Sequence, residues 1–196
     1  MRLLFVHAHP LEGSLTATAR DTAMAAAQAK GHETRLIDLY AEAFAPVLTA
    51  DEWQSYPDPD AIDASLDPHL AALAWAEGVI FTHPTWWSGP PAILKGWLER
   101  VWRPGVAFHV GLNGLQPALP NIRLIGVITS LGATWAHYNL LLGAPGRKQL
   151  LRGLRGCTNR RTKTLWLAHY AIDASTPQSR AAHLAKIATR IAQIAV

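Results

Sequence analysis

With 196 residues, 49% of them hydrophobic and 16% charged, the chain is long enough to bury a sizeable core, and this composition excludes a disordered or fibrous protein. Lys and Arg number 18 against 14 Asp and Glu, interspersed along most of the chain, so the net charge of +4 describes a mixed, solvated surface and gives no nucleic-acid signal. Cys157 stands alone and permits no intramolecular disulfide, no secretory pattern opens the sequence, and a single cytoplasmic domain over residues 1–196 is expected.

Leu3 to Val6 is an all-apolar run, the mark of a strand covered on both faces. Ser14 precedes an alanine-rich segment that stops at Gly31, which gives a helix with an N-cap and a glycine terminator. Glu33 to Leu39 reads as a second strand. A long excursion to Glu77 follows, in which Thr49 and Glu52 form a capping box and Asp67-Pro68 opens a helix. Gly78 to Thr82 is the third strand, and Pro91 starts the helix AILKGWLERVW. Ile122 to Ile128 gives a fourth strand, Thr134 to Leu142 and Pro145 to Leu154 read as helical, Thr164 to Ala168 is a fifth strand, and Ser175 begins the closing helix. From Leu124 to Gly146 there is no charged residue, but Thr129, Ser130, Gly132, His137 and Asn139 break the stretch, which reads as a buried strand, a polar turn and a helix rather than a membrane span.

Strands alternating with helices imply a parallel sheet wound on both faces. Five of them suit a flavodoxin-like α/β fold of strand order 2-1-3-4-5, whose ligand crevice lies beyond the carboxyl ends of the first, third and fourth strands. The loops at those ends are His9 to Thr16, Pro84 to Gly89 and Thr129 to Trp135.

In HPLEGSLT (9–16) a strand end meets a helix N-terminus, where free amides and the dipole favour a phosphate; His9, Ser14 and Thr16 add polar groups. No GxGxxG or Walker A pattern occurs, and HAHP replaces the acidic cluster of a receiver domain. His7 and His9 lack a third partner for a metal, so none is expected. In the second loop Trp86 and Trp87 lie between prolines, placed to stack on a planar heterocycle, whereas Trp97 and Trp102 belong to a core-facing helix and Lys95 pairs with Glu99 on its surface. The third loop, TSLGATWAHY, offers Thr129, Ser130 and Gly132, with Trp135, His137 and Tyr138 as cavity walls. Arg147, Lys148, Arg152, Arg155, Arg160, Arg161 and Lys163 form a basic run that is either a solvated face or a phosphate contact for a dinucleotide.

PTWWSGPPAILKGWLERV (84–101) and HPLEGSLT together resemble the flavodoxin-like NAD(P)H:quinone oxidoreductase family, which includes the modulator-of-drug-activity proteins and the ancillary subunits of glutathione-gated potassium efflux. The resemblance implies a bound FMN or FAD. By motif position His9, Ser14, Leu15 and Thr16 would hold its phosphate end, Pro84, Thr85, Trp86, Trp87, Ser88 and Gly89 its ring system, and Thr129, Ser130 and Gly132 the far edge of the ring. It also implies two-electron, ping-pong hydride transfer from NAD(P)H to a quinone or similar acceptor, with Tyr138 or His137 at the acceptor, in a homodimer. The alternative it carries is a flavin-binding regulatory subunit of a potassium-efflux transporter. The chain departs from the family at Leu131, where glycine is usual, and has no counterpart of the family's acceptor-site histidine. A one-electron carrier of the flavodoxin type is disfavoured by the sequence pI of about 9.5, since such carriers are acidic.

Overall fold

The computed structural model describes residues 1–112 and 114–195. Its strands and helices are β1 (Arg2–His7), α1 (Leu15–Gln28), β2 (Glu33–Asp38), α2 (Ala50–Gln54), α3 (Asp67–Trp75), β3 (Gly78–Pro84), α4 (Ala92–Val101), β4 (Phe108–Gly111), β5 (Gly114–Pro117), β6 (Leu124–Ser130), α5 (Pro145–Arg147), β7 (Lys163–His169) and α6 (Pro177–Ala192). Five strands form one parallel sheet in the order β2-β1-β3-β6-β7.

This corrects the expected order 2-1-3-4-5. The antiparallel hairpin β4–β5 intervenes between the third parallel strand and the next one. Its residues are exposed or half-buried, with no alternation of apolar and polar side chains to announce a strand, and Asn113 lies outside the described residues.

The sheet is apolar on both faces because helices cover both. On one face Leu3, Phe5, Ile80, Ile128 and Leu167 meet Ala19 and Ala23 of α1 and Ile187 and Ile191 of α6. Small alanines let α1 lie close to the strands. On the other face Leu4, Val6, Val79, Phe81 and Val127 pack against Leu73 of α3, Leu94 and Trp97 of α4, and Leu150. Trp97 and Trp102 are buried as expected, and Lys95 pairs with Glu99 one turn away on the surface.

The caps fall where the sequence puts them. Ser14 caps α1, Thr49 and Glu52 form a complete capping box, and α3 opens on Asp67-Pro68. Two boundaries shift by one residue: Pro91 is the N-cap of α4 rather than its first helical residue, and Thr176, bonded reciprocally with Ser179, caps α6 in place of Ser175. The helix expected from Thr134 is a π-helix, His137–Leu141, and α5 continues as a second π-helix, Lys148–Gly153. Among the described residues no helix is long and apolar enough to cross a membrane.

Candidate active site at the carboxyl ends of the strands

Beyond β1 the chain turns at His9, whose Nδ1 accepts the Leu11 amide at 3.0 Å, and enters α1. The Ser14 hydroxyl accepts the Ala17 amide at 3.1 Å, and the Ser14 amide itself donates to Leu11 O. The first turn of a helix leaves its amides without intrahelical partners. With Ala17 taken by the cap, the Leu15 and Thr16 amides remain for an acceptor, at the positive end of a 14-residue helix.

The second loop is a tight turn. Trp86 and Gly89 exchange backbone hydrogen bonds, both 3.0 Å, and the two residues between them, Trp87 and Ser88, have φ of 47° and 64°. Positive φ at both central positions is the pattern of a type I′ turn, which ordinarily carries Asn-Gly. Holding a tryptophan there costs on the order of 1 kcal/mol or more, a type of local strain that clusters at functional sites. The turn leaves Trp87 104% exposed and Trp86 47% exposed, so neither indole is sealed in the core. Pro84, the last residue of β3, is buried and fixes the base of the loop, where its carbonyl meets His83 Nδ1 at 2.9 Å.

The third loop is stitched to the second. The Thr85 amide donates to Ser130 O at 2.8 Å, and the Thr85 and Thr129 hydroxyls share a hydrogen bond of 2.8 Å. A Cβ on Gly132 would stand 2.6 Å from Asp173 Oδ2, so this position admits no side chain without moving Asp173. Leu131, where the resemblance leads one to expect glycine, is buried in a small cluster with Tyr138 and Ala144.

His137 and Tyr138 part company. His137 is exposed, whereas Tyr138 is 0% exposed, stacked parallel to Trp166 at 6.1 Å, and its Oη accepts the Arg147 amide at 3.1 Å. Burial pushes the Tyr138 phenol pKa up, so it stays protonated.

A cavity of about 260 Å³ opens between the second and third loops, lined by Thr85, Trp87, Ser88, Gly132, His137 and Tyr138 among others. A gap of only about 10 Å³ separates Leu15 and Thr16 from Thr129, Ser130 and His183, so the first loop reaches the same place from the other side. Burial, and then the neighbouring His169, lower the His183 pKa to about 4, which leaves that ring neutral. Leu142, which also lines the cavity, is exposed, as are Trp135, Leu140 and Leu141 of the same chain segment.

Two contributors were not legible from the sequence. Asp173 follows β7 and closes over Gly132. Gly146 donates its amide to Ser88 O at 2.9 Å, and a Cβ there would lie 2.7 Å from that oxygen and 3.2 Å from Tyr138 Oη. The strand-end rule that selected three loops could have selected the loop holding Asp173 as well. The basic run is divided by the fold. Arg147, whose amide bonds the cavity-lining Tyr138, and Lys148 follow this anchored glycine, while Arg161 and Lys163 stand at the opposite end of the sheet. Among the described residues no group of His, Cys, Asp and Glu is arranged to hold a metal ion.

A family model described as flavodoxin-like fold matches residues 1–194. The chain is 32% identical over 155 residues to the NAD(P)H dehydrogenase [quinone] 1 of Cavia porcellus, covering 71% of this chain and 56% of that protein. It is 32% identical over 114 residues to the uncharacterized NAD(P)H oxidoreductase YcaK of Escherichia coli, covering 56% and 57% respectively. The chain thus spans about half the length of the curated relatives it matches. Smu.1420 of Streptococcus mutans superposes with a TM-score of 0.84 at 26% identity, over 99% of this chain and 100% of that one. The full-length match to the family model, on a sheet whose strand ends carry the crevice just described, means that this chain belongs to the flavodoxin-like family, in company with proteins named NAD(P)H oxidoreductases and quinone reductases.

Proposed function

We propose that the chain is a flavoprotein reductase that takes two electrons from NAD(P)H and passes them to a quinone-like acceptor in a ping-pong cycle. One observation carries this reading: three loops meet at one end of the sheet, with spare helix amides on one side and a strained turn bearing exposed indoles on the other. The names of the relatives support the reaction class.

A flavin bound there would supply the hydride chemistry, which side chains alone do not perform. The residues fit such a group. The Leu15 and Thr16 amides, with Ser14 and His9 beside them, suit the phosphate at the positive end of α1. Pro84, Thr85, Trp86, Trp87, Ser88 and Gly89 suit the ring system, and Thr129, Ser130 and Gly132 its far edge. The bare position at Gly132 lets Asp173 close over the third loop.

Within that site His137 is the exposed side chain able to hold or pass a proton at an acceptor. Tyr138, enclosed and bonded to the Arg147 amide, acts as a positioning residue that fixes the segment behind the cavity. The charges of Arg147 and Lys148, next in the chain after Gly146, would attract the phosphates of the dinucleotide. A second copy of the chain would cover the exposed Trp87, Trp135, Leu140 and Leu141.

The test is a visible spectrum of the purified protein under anaerobic conditions. The expected result is a yellow preparation that bleaches on NADPH or NADH addition, recovers its colour with a quinone, and sediments as a dimer. A colourless protein that takes up neither FMN nor FAD contradicts the reading, and a monomer at micromolar concentration contradicts its dimeric part.

A further inference from the structure

A cavity larger than that of the candidate active site lies at the other end of the sheet, where the proposed reaction has no use for it. This groove, about 480 Å³, is formed where β6 and β7 begin and α6 ends. That volume is within the range of small-molecule sites. Four cationic side chains line it, Arg123, Arg161, Lys163 and Arg190, and among the described residues no Asp or Glu does.

Two of the four have local employment. Arg123 reaches Glu77 at 2.5 Å, and Arg190 stands in the last turn of α6, where a cation complements the helix dipole. Arg161 and Lys163 have neither role. Among the described residues no acidic group lies within 4.0 Å of either, and both are exposed. With Arg123 neutralised by Glu77, the charges of Arg161, Lys163 and Arg190 around one concavity raise its potential and concentrate anions. Apolar surface from Leu124, Leu165 and Ile194 lies among them, and the Thr164 hydroxyl and Gln193 amide add hydrogen-bonding groups.

We infer that this groove binds a soluble phosphate-bearing compound of nucleotide type, its phosphates against Arg161 and Lys163 and its flat or apolar part on Leu124 and Leu165. Arginine suits the phosphate through its planar fork of donors, and lysine adds a compact charge. The seven residues of β6 connect the groove at Leu124 with the candidate active site at Ser130, a distance of roughly 20 Å at about 3.3 Å per residue. The site is therefore separate from the cavity at the strand carboxyl ends, and its occupancy does not depend on the proposed reductase activity.

The test is calorimetric titration of the full chain with ATP and with inorganic pyrophosphate, at low and at moderate salt, alongside the double variant Arg161→Glu/Lys163→Glu. Both substitutions are on the surface, and an unchanged melting temperature and circular dichroism spectrum certify the fold. Saturable binding of one equivalent with Kd below about 1 mM, weakening with salt and at least tenfold weaker in the variant, supports the inference. Absence of saturable binding at low salt, or equal affinity in the variant, overturns it, the latter because the phosphates would then be seated elsewhere, such as at the first turn of α1. Cosedimentation with vesicles containing an anionic phospholipid, without binding of either soluble compound, also overturns it and assigns the face to a membrane surface.

Discussion

Replacing Trp97 by alanine lowers the unfolding free energy by about 3–5 kcal/mol, the range for deleting a buried aromatic from a packed core. Trp97 is wholly buried and joins α4 to the sheet and to α3 at once. Its ring meets Phe81 edge-on with centroids 6.1 Å apart, and its indole N–H donates to His69 Nδ1 at 3.4 Å. Truncation leaves a cavity and a buried imidazole nitrogen without its donor. Urea unfolding measures the loss. Trp87→Ala, which removes a fully exposed ring, stays within about 1 kcal/mol of the parent in the same assay. A Trp97→Ala loss under about 1.5 kcal/mol would mean that α4 is not held to the sheet through this residue.

Mild acid destabilises the fold well before carboxylates titrate. His83 and His7, at the ends of β3 and β1, are buried. Burial first, with His7 also contributing, lowers the His83 pKa to about 4, and burial followed by the Arg20 charge does the same for His7. His83 Nδ1 is engaged with Pro84 O at 2.9 Å, and its Nε2 is buried with no partner among the described residues, so a second proton there would have no acceptor.

Both rings are neutral in the fold, while the unfolded chain protonates them near 6.5. The unfolded state then binds more protons below that pH. Stability is full above 6.5 and falls as pH drops toward 4. At about 1.4 kcal/mol per pH unit, each histidine removes on the order of 2 kcal/mol between pH 6.5 and 5, above the ordinary carboxylate range. Urea midpoints at pH 7.5, 6 and 5 should show this slope, and His83→Gln should flatten it. A stability unchanged over that interval contradicts the burial of both rings.

The legibility of the fold follows from which residues announce their surroundings. Leu3 to Val6 and Val79 to Phe81 are unbroken apolar runs because helices cover both faces of the sheet, and Ser14, Thr49 and Asp67-Pro68 announce helix starts through local chemistry. The β4–β5 hairpin carries neither signal, since it sits off the sheet with mostly exposed residues. The π-helices were also hidden, since π spacing at His137 and Lys148 is rare and carries no residue signature of its own.

In the candidate site, the loops could be read because parallel strands place their ligands at carboxyl ends. The contacts of Asp173 over Gly132 and of Gly146 against Ser88 could not, because they depend on the approach of segments about 40 to 60 residues apart. Charge was the poorest guide. The basic run is continuous in sequence, yet the turns between Arg147 and Lys163 send its two ends to opposite ends of the sheet. Tyr138 and His137 are adjacent in the chain, but one is buried and the other exposed, and the sequence alone left open which of them lies at the acceptor.

In the proposed function the first and second loops hold the two ends of one flavin. Titrating the flavin-free chain with FMN, followed through the flavin's own fluorescence, tests it directly when wild type, Ser14→Ala and Trp87→Ala are measured side by side. Saturable quenching is expected with the wild type, and affinity at least tenfold lower in each variant, about 1.4 kcal/mol or more apiece. Equal affinity in all three proteins would place the flavin elsewhere, and a flat titration with the wild type would remove it altogether.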